Sequence, residues 1–369
     1  MKKLFGIISI VLIVLLSLSA CSVSFDKIDK GAVIGVVTPQ SEMGSEYAVA
    51  LKIQEEYGAD QVLIETYDAD YNKSADTIAV AAMNLAKNPD VKAIVFTRGS
   101  TGVSAAMTLV KKERSDIECI CVNYLETEAQ ISATADLGLT VDNHEVYHEM
   151  VKTAKKAKLE TVAFLIPQQY KNNTNIVDAK EMLQHVCEDE GLGFETYEIT
   201  YTSIAPNNLK SAADKVVKEA VIKHSNNVAF FTPSCIVKDA VINAAAENDA
   251  GYIYTTCNCP RNHYLSALAI SGGETYAETI EAIKSYASEF ITGKFAVLDI
   301  DPVETLTKIA VNYAIAIANG DVDADEINMK VLESAGKSAV KDTDADKPTF
   351  ATSEKSNNIV KVGFSASSF

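Results

Sequence analysis

Apolar residues along this chain fall into two kinds of run, short unbroken ones and longer ones at helical spacing, and the two alternate. AVIGVV (32–37) is a β-branched run that Pro39 stops. QVLIETY (61–67), VKAIVFT (91–97), IECICVNY (117–124) and DLGLTVD (136–142) follow as further strands. Between them SEYAVALKIQEEYG, SADTIAVAAMNLAKN and SAAMTLVKKERS place apolar residues three and four apart, as helices do. Strands apolar along their whole length are buried on both faces. Their alternation with helices of roughly 10–15 residues predicts a parallel sheet covered on both sides.

The pattern then restarts. HEVYHEMVKTAKKAK reads as a helix, TVAFLIP (161–167) as a strand, NIVDAKEMLQHVCEDEG as a helix and GFETYEITY (193–201) as a strand. LKSAADKVVKEAVIKHS, NVAFFTP (227–233), CIVKDAVINAAAEND and YIYTTC (252–257) continue the alternation. The element order repeats although the sequence does not. After Leu265 the character changes. ALAISG is a short apolar piece, TYAETIEAIKSYASEFITG and PVETLTKIAVNYAIAIANG are long helical stretches ending at Gly, and ADEINMKVLESAG suits a third helix. Residues 337–358 are polar and read as a loose segment, after which NIVKVGFS can return as an edge strand. The expected organisation is an N-terminal α/β lobe (32–142) and a C-terminal α/β lobe (143–264). Crossing helices (265–336) complete both lobes, and a polar tail (337–369) closes the chain.

Two successive α/β arrays followed by crossing helices resemble the type 1 periplasmic-binding-protein fold over about residues 31–330. The resemblance implies two doubly wound parallel-sheet (Rossmann-like) lobes with a cleft between them. NPDVKAIVF, VAFFTPSCIVKDAVINAA, and CNCP followed by HYLSALAI are similar to an uncharacterised bacterial lipoprotein family, known only as a domain of unknown function. Sugar repressors share this fold. This chain carries an export signal where a repressor has a helix-turn-helix before its first strand, which argues against a DNA-binding role.

That signal has Lys2 and Lys3, then residues 4–16 apolar apart from Gly6 and Ser9, then Ser17, Ser19 and Ala20. LSAC, ending at Cys21, resembles a bacterial lipobox. The resemblance implies a diacylglyceryl group on the Cys21 thiol, cleavage before it, a signal peptide of residues 1–20 and a tether of residues 21–31. The apolar stretch falls short of the ~20 residues that span a bilayer. The expected location is extracytoplasmic, on a membrane surface. The balance of 33 Lys+Arg against 50 Asp+Glu, a net charge of −17, repels polyphosphates. With no basic stripe in view, it disfavours nucleic acid.

In open α/β sheets ligands bind beyond the carboxyl ends of the strands, and Pro39, Pro167, Pro233 and Pro260 mark such ends. The first lobe offers Gln40 and Ser41 after its first strand and Tyr67 and Asp68 after its second. Arg98 and Ser100 follow its third strand, and Asn123 and Tyr124 its fourth. The second lobe offers Gln168, Tyr170, Ser234, Asn258, Arg261 and His263. Amides, hydroxyls, phenols and guanidinium groups suit a small polar molecule of the nucleoside, sugar or small carboxylate class. Arg98 and Arg261 are two of only three arginines. Each suits a ligand carboxylate or phosphate, with a salt bridge inside the protein as the competing reading. Arg98, flanked by Gly99 and Ser100 before a helix start, is the better placed.

Beyond Cys21, Cys119, Cys121 and Cys187 read as small core residues. Cys235, Cys257 and Cys259 read as free thiols near the cleft, with a disulfide to Cys235 or a zinc site with His263 as alternatives. His144 and His148 read as solvated helix positions. No G-x-S-x-G, H-E-x-x-H or P-loop occurs, so neither enzyme activity nor a cofactor is expected. The sequence thus predicts a monomeric, lipid-anchored solute-binding protein, the receptor of an ABC importer, closing its lobes on a small ligand. A sensory lipoprotein of the same fold is the alternative, and a surface hydrolase the remoter one.

Overall fold

The computed structural model describes residues 23–40, 45–68, 74–253, 263–272, 276–290, 294–322 and 326–368. Cys21, Ser41, Cys257, Asn258, Cys259 and Arg261 lie outside them.

Two sheets organise the molecule. In the first lobe β1 (Val33–Pro39), β2 (Val62–Tyr67), β3 (Val91–Phe96), β4 (Glu118–Val122) and β5 (Leu137–Val141) pair in parallel in the order β2-β1-β3-β4-β5. α1 (Ser45–Tyr57), α2 (Ser74–Ala86), α3 (Val103–Glu113) and the short α4 (Glu128–Ser132) make the connections. β1 is buried at every position, as a β-branched run between two helical layers requires. Gly35 on β1 lets α2 pack close, since a Cβ would stand 2.9 Å from Leu85 Cδ1, which would have to turn aside.

The second lobe opens with α5 (Asn143–Lys156). It continues through β6 (Thr161–Pro167), α6 (Thr174–Glu190), β7 (Gly193–Ile199), α7 (Pro206–His224), β8 (Val228–Phe231), α8 (Cys235–Glu247), β9 (Gly251–Ile253), α9 (His263–Leu268), α10 (Tyr276–Phe290) and β10 (Phe295–Leu298). Its sheet runs β7-β6-β8-β9-β10, the same winding as the first. α11 (Pro302–Ala318) then returns to pack on α1, β3 and β4. It is apolar nearly all round and buried accordingly. α12 (Met329–Ala339) packs beside it.

Three stretches depart from the sequence reading. The end of the chain is not loose, and the strand expected at an edge is internal, with β11 and β13 taking the sheet edges. β12 (Ile359–Gly363) lies parallel to β5, with β11 (Thr349–Thr352) antiparallel outside it, and β13 (Ala366–Ser368) pairs antiparallel with β10. Ile359, Val360 and Val362 are fully buried, which holds the segment despite its polar approach. The chain therefore crosses between lobes three times, from β5 to α5, from β10 to α11 and from β12 to β13. Second, FAVL forms β10 inside a region read as helical, and the apolar piece ALAISG lies mostly beyond α9, which ends at Leu268. Third, residues 23–31, read as a tether, are docked on the first lobe. Phe25 and Ile28 are buried. Tyr57 Oη donates to Phe25 O at 2.5 Å, Gln61 Nε2 to Ile28 O at 2.8 Å, and Asp29 N to Asn319 Oδ1 at 2.8 Å. These partners sit at the amino ends of the strands, away from the cleft. Among the described residues no helix is long and apolar enough to cross a membrane.

Candidate ligand site between the lobes

β4 and β5 of the first lobe and β8 and β10 of the second end on one cavity of about 280 Å³, closed by the first turns of α5, α8 and α11. Asn123, Tyr124, Leu125, Thr140 and Val141 line it from the first sheet, and Asn143, Val146 and Tyr147 from α5. Phe231, Pro233, Lys238 and Leu298 line it from the second lobe, with Pro302 and Val303 from α11. Two of the three crossings, β5 to α5 and β10 to α11, and both lobes thus meet at it.

Local chain geometry places these groups. Asn123 ends β4 with φ 46°, a left-handed conformation asparagine tolerates better than most residues. Its N–H donates to Leu139 O at 2.9 Å. Gly99 lets the β3 exit lie against this turn, because a Cβ there would fall 2.6 Å from Tyr124 Cα. Tyr147 stacks edge-on against Phe231 within the second lobe, centroids 5.5 Å apart. Burial pushes the Tyr147 phenol up to about 12 and raises that of Tyr124 as well, so both present neutral hydroxyls at physiological pH.

Among the described residues of the wall Lys238 is the charged one. It is 2% exposed, and burial draws its ammonium down to about 8, against the opposing pull of Asp239. Asp239 itself bonds His263 Nδ1 and, at 2.7 Å, Ser266 Oγ. Lys238 is absent from the sequence-derived set.

Asn123 and Tyr124, chosen from sequence, line the cavity. Ser234 is buried at the N-cap of α8, beside Pro233. Tyr67, Arg98 and Ser100 gather in a separate buried cluster at the β2 and β3 exits. Tyr67 Oη meets Ser100 Oγ at 3.0 Å and donates to Arg98 O at 3.2 Å. The Arg98 guanidinium is engaged by the protein itself: Nε bonds Glu46 Oε1 at 2.7 Å and Nη2 the same oxygen at 2.5 Å. Gln40 and Gln168 are exposed, Tyr170 is 37% exposed, and Asp68 is half-buried at the β2 exit. His263 is fully buried between α9 and α8. Ser41, Asn258 and Arg261 lie outside the described residues.

Cys235, expected as a free thiol, is disulfide-bonded, and its partner lies outside the described residues. β8 and β9 are sheet neighbours, so the start of α8 stands near the exit of β9. Cys119, Cys121 and Cys187 are free and buried. Among the described residues no group of three metal-ligating side chains occurs.

A larger cavity, about 660 Å³, lies at the opposite ends of the strands, where Lys111, Glu118, Asp136, Tyr313 and Asn358 meet. Lys111 reaches Asp136 at 2.7 Å and Glu118 at 3.5 Å. Burial, then Asp136, raises the Glu118 carboxyl. This cavity belongs to the first lobe alone, so lobe closure would not reshape it.

Comparison with known proteins now adds context. The family model described as "Protein of unknown function (DUF3798)" matches residues 33–295. An uncharacterized protein of Treponema pallidum (strain Nichols) is 24% identical over 172 residues, 45% of this chain and 78% of that protein. A protein of Clostridium difficile 630 described as a candidate transcriptional regulator superposes with a TM-score of 0.79 at 18% identity, covering 93% of this chain and 100% of that one. A sugar ABC transporter protein of Actinomyces odontolyticus ATCC 17982 gives 0.53 at 11% identity, covering 80% and 86%. An ABC transporter solute binding protein of Bradyrhizobium sp. BTAi1, with bound bis-tris, gives 0.51 at 13%, covering 82% and 81%. The fold is that of type 1 periplasmic binding proteins, as the element order predicts.

Proposed function

For a chain that belongs to the DUF3798 family, whose function is unknown, we propose the role of a lipid-anchored extracytoplasmic solute-binding protein, the receptor of an ABC importer. One observation carries the reading: both lobes and two of the three hinge crossings converge on a cavity of metabolite size, near the lower end of the ~300–1,000 Å³ usual for ligand clefts. Closing the lobes about the three crossings traps a small molecule there without covalent chemistry. The solute is a small molecule of the nucleoside, sugar or small carboxylate class. Structural neighbours with ABC-transporter descriptions support the assignment.

Cys21 is the attachment point, and the docked segment gives the anchor a direction. The buried Phe25 stands four positions after Cys21, a span of at most ~14 Å. The base of the first lobe then rests at the bilayer with the second lobe outermost. That posture favours the second reading, a sensory lipoprotein, because a permease gripping both lobes would need both near the membrane. Neighbouring permease and ATPase genes support transport; a neighbouring histidine kinase supports sensing.

The test is ligand-dependent stabilisation of the purified protein, since a ligand of the native state raises its unfolding midpoint by mass action. Replacing Phe231 with alanine empties one wall of the cavity and is expected to abolish that stabilisation. A shift that survives unchanged would place the solute elsewhere.

A further inference from the structure

We infer that the cavity of about 660 Å³ at the base of the first lobe is a second binding site, for an organic cation: a guanidinium or ammonium group on a short apolar stem. Its size falls within the ~300–1,000 Å³ usual for ligand sites. β4 and β5 start at this cavity and end at the one between the lobes. Occupancy here does not depend on what the receptor binds between its lobes.

Charge balance argues for a cation. Among the described residues of the lining Lys111, in the last turn of α3, is the basic one, and it serves two carboxylates. Asp136 takes the close contact, 2.7 Å to Lys111 Nζ, and its Oδ2 also accepts from Cys119 N at 2.7 Å. Glu118, 8% exposed, is left with Lys111 at 3.5 Å. Glu326 from the α11–α12 connection and the phenol of Tyr313 on α11 are the other titratable groups of the lining, and neither brings a positive charge. α11 also ends here with no basic residue in its last turn, so its carbonyl end adds negative potential. The lining is therefore short of positive charge. A proton serves instead: burial, then the charge of Asp136, raises the Glu118 carboxyl. A ligand cation would take the proton's place.

The rest of the lining selects the kind of cation. Among the described residues no group of three side chains offers a metal site. Tyr313 and Ile317 of α11 line the cavity together with Ile327 and Met329 at the approach to α12. An aliphatic stem sheds water against them while its charged head stays among the carboxylates. The neutral polar groups are spent on the protein. Ser132 Oγ donates to Asn358 Oδ1 at 2.7 Å, and Asn358 Nδ2 donates to Ser132 O and Ala135 O at 2.9 Å. The unmet demand lies on the Glu118 side.

The experiment measures thermal unfolding of the full chain in detergent micelles with cations beside their neutral isosteres. The pairs are butylguanidine with butylurea, pentylamine with pentanol, and N-acetylarginine amide with N-acetylcitrulline amide; magnesium chloride is a further arm. The expected result is a cation that raises the midpoint by on the order of 5 °C at a hundredfold excess over Kd, while its isostere does not. Affinity should rise with pH through about 7, as Glu118 gives up its proton. Calorimetry in buffers of different ionisation heat should record that proton's release. Glu118→Gln should weaken the cation about 10- to 100-fold and remove the pH dependence. Should that variant fold poorly, Glu326→Gln, at an exposed position, should still weaken the cation about 2- to 5-fold. A shift with N-acetylarginine amide supports the site with a protein side chain as the source, and a shift confined to the two small cations supports it with a free molecule. Equal shifts with cation and isostere, a shift with magnesium alone, no shift with any cation, or a shift untouched by both substitutions would overturn the inference.

Discussion

Two buried cations stand at strand exits, one in each lobe, and the protein treats them differently. In the first lobe Glu46, 2% exposed, lies directly against the guanidinium of Arg98, 5% exposed. In the second, Lys238 faces the cavity and titrates well below an ordinary lysine, while neighbouring Asp239 is directed to His263 and Ser266. A charge at the mouth of an α/β sheet is thus not by itself a binding group. What separates the two is that Arg98 is locked to Glu46, whereas Lys238 lines the cavity between the lobes. Arg98, the stronger candidate from sequence, is paired with Glu46 outside the cavity lining; Lys238, overlooked there, is part of that lining.

Removing one member of each pairing tests the contrast most forcefully. Glu46→Ala leaves Arg98 buried without its counter-charge and should cost about 3–5 kcal/mol, whereas replacing both residues by apolar side chains of similar size should cost far less. Urea unfolding of the two variants measures the difference, and similar losses would break the distinction. Lys238→Met should act in the opposite direction. Lowering a lysine from 10.5 to about 8 corresponds to up to about 3 kcal/mol spent keeping it charged at neutral pH. The variant should therefore be the more stable protein near pH 7. The sign reverses nowhere below pH 8, where native and unfolded lysine are both protonated and the cost is fully present. Between about pH 8 and 10.5 the native lysine sheds its proton first, so wild-type stability should climb towards the variant's. Parallel stability curves for the two proteins over that window would argue that Lys238 is not buried as described.

Helix capping offers a smaller contrast at the same cavity. Asp301→Ala removes the cap of α11 and should cost about 1 kcal/mol, most of it recovered in Asp301→Asn, which keeps the acceptor oxygen. Ser234→Ala at α8 should cost little, because no side-chain cap bond exists there to lose. Calorimetric midpoints compare the three. A loss at Ser234 as large as that at Asp301 would mean that both helix starts are capped alike.

Legibility from sequence followed burial and continuity. The strands of both sheets that form unbroken β-branched runs, such as VIGVVTP and TVAFLIP, are burial patterns written directly into composition. FAVL is too short to outweigh the helical stretches beside it. In IVKVG the half-exposed Lys361 interrupts an otherwise buried strand, so its place next to β5 depends on a long-range pairing that no local pattern carries. The docking of Phe25 and Ile28 is likewise a tertiary event, visible only once Asn319 and Gln61 are beside them. At the site, a strand-end rule finds Asn123 and Tyr124 but favours Arg98, because it cannot foresee Glu46 arriving from α1. Lys238 did leave a trace. It stands three and four residues before Val241 and Ile242, on the buried stripe of α8. A lysine at an apolar position of a helix that starts at a cleft is the signal that would have found it.

The smallest effect is also the most specific. Ser234→Asp supplies α8 with the carboxylate cap that α5 and α11 already have. It should add about 0.5 kcal/mol to stability, through the cap bond and the helix dipole. Its carboxylate would occupy the first turn of α8 and sit near Lys238, so a solute of the small carboxylate class should bind markedly less well. Ser234→Asn supplies a similar cap without the charge. If the cavity selects for charge, Asn should leave carboxylate affinity close to that of the wild type while Asp removes it. If the two variants weaken binding equally, the first turn matters for its shape and the electrostatic contrast between the lobes fails. Isothermal titration of both variants with the solute that stabilises the wild type separates these outcomes. The comparison is informative because the two side chains differ by one charged group at nearly equal volume.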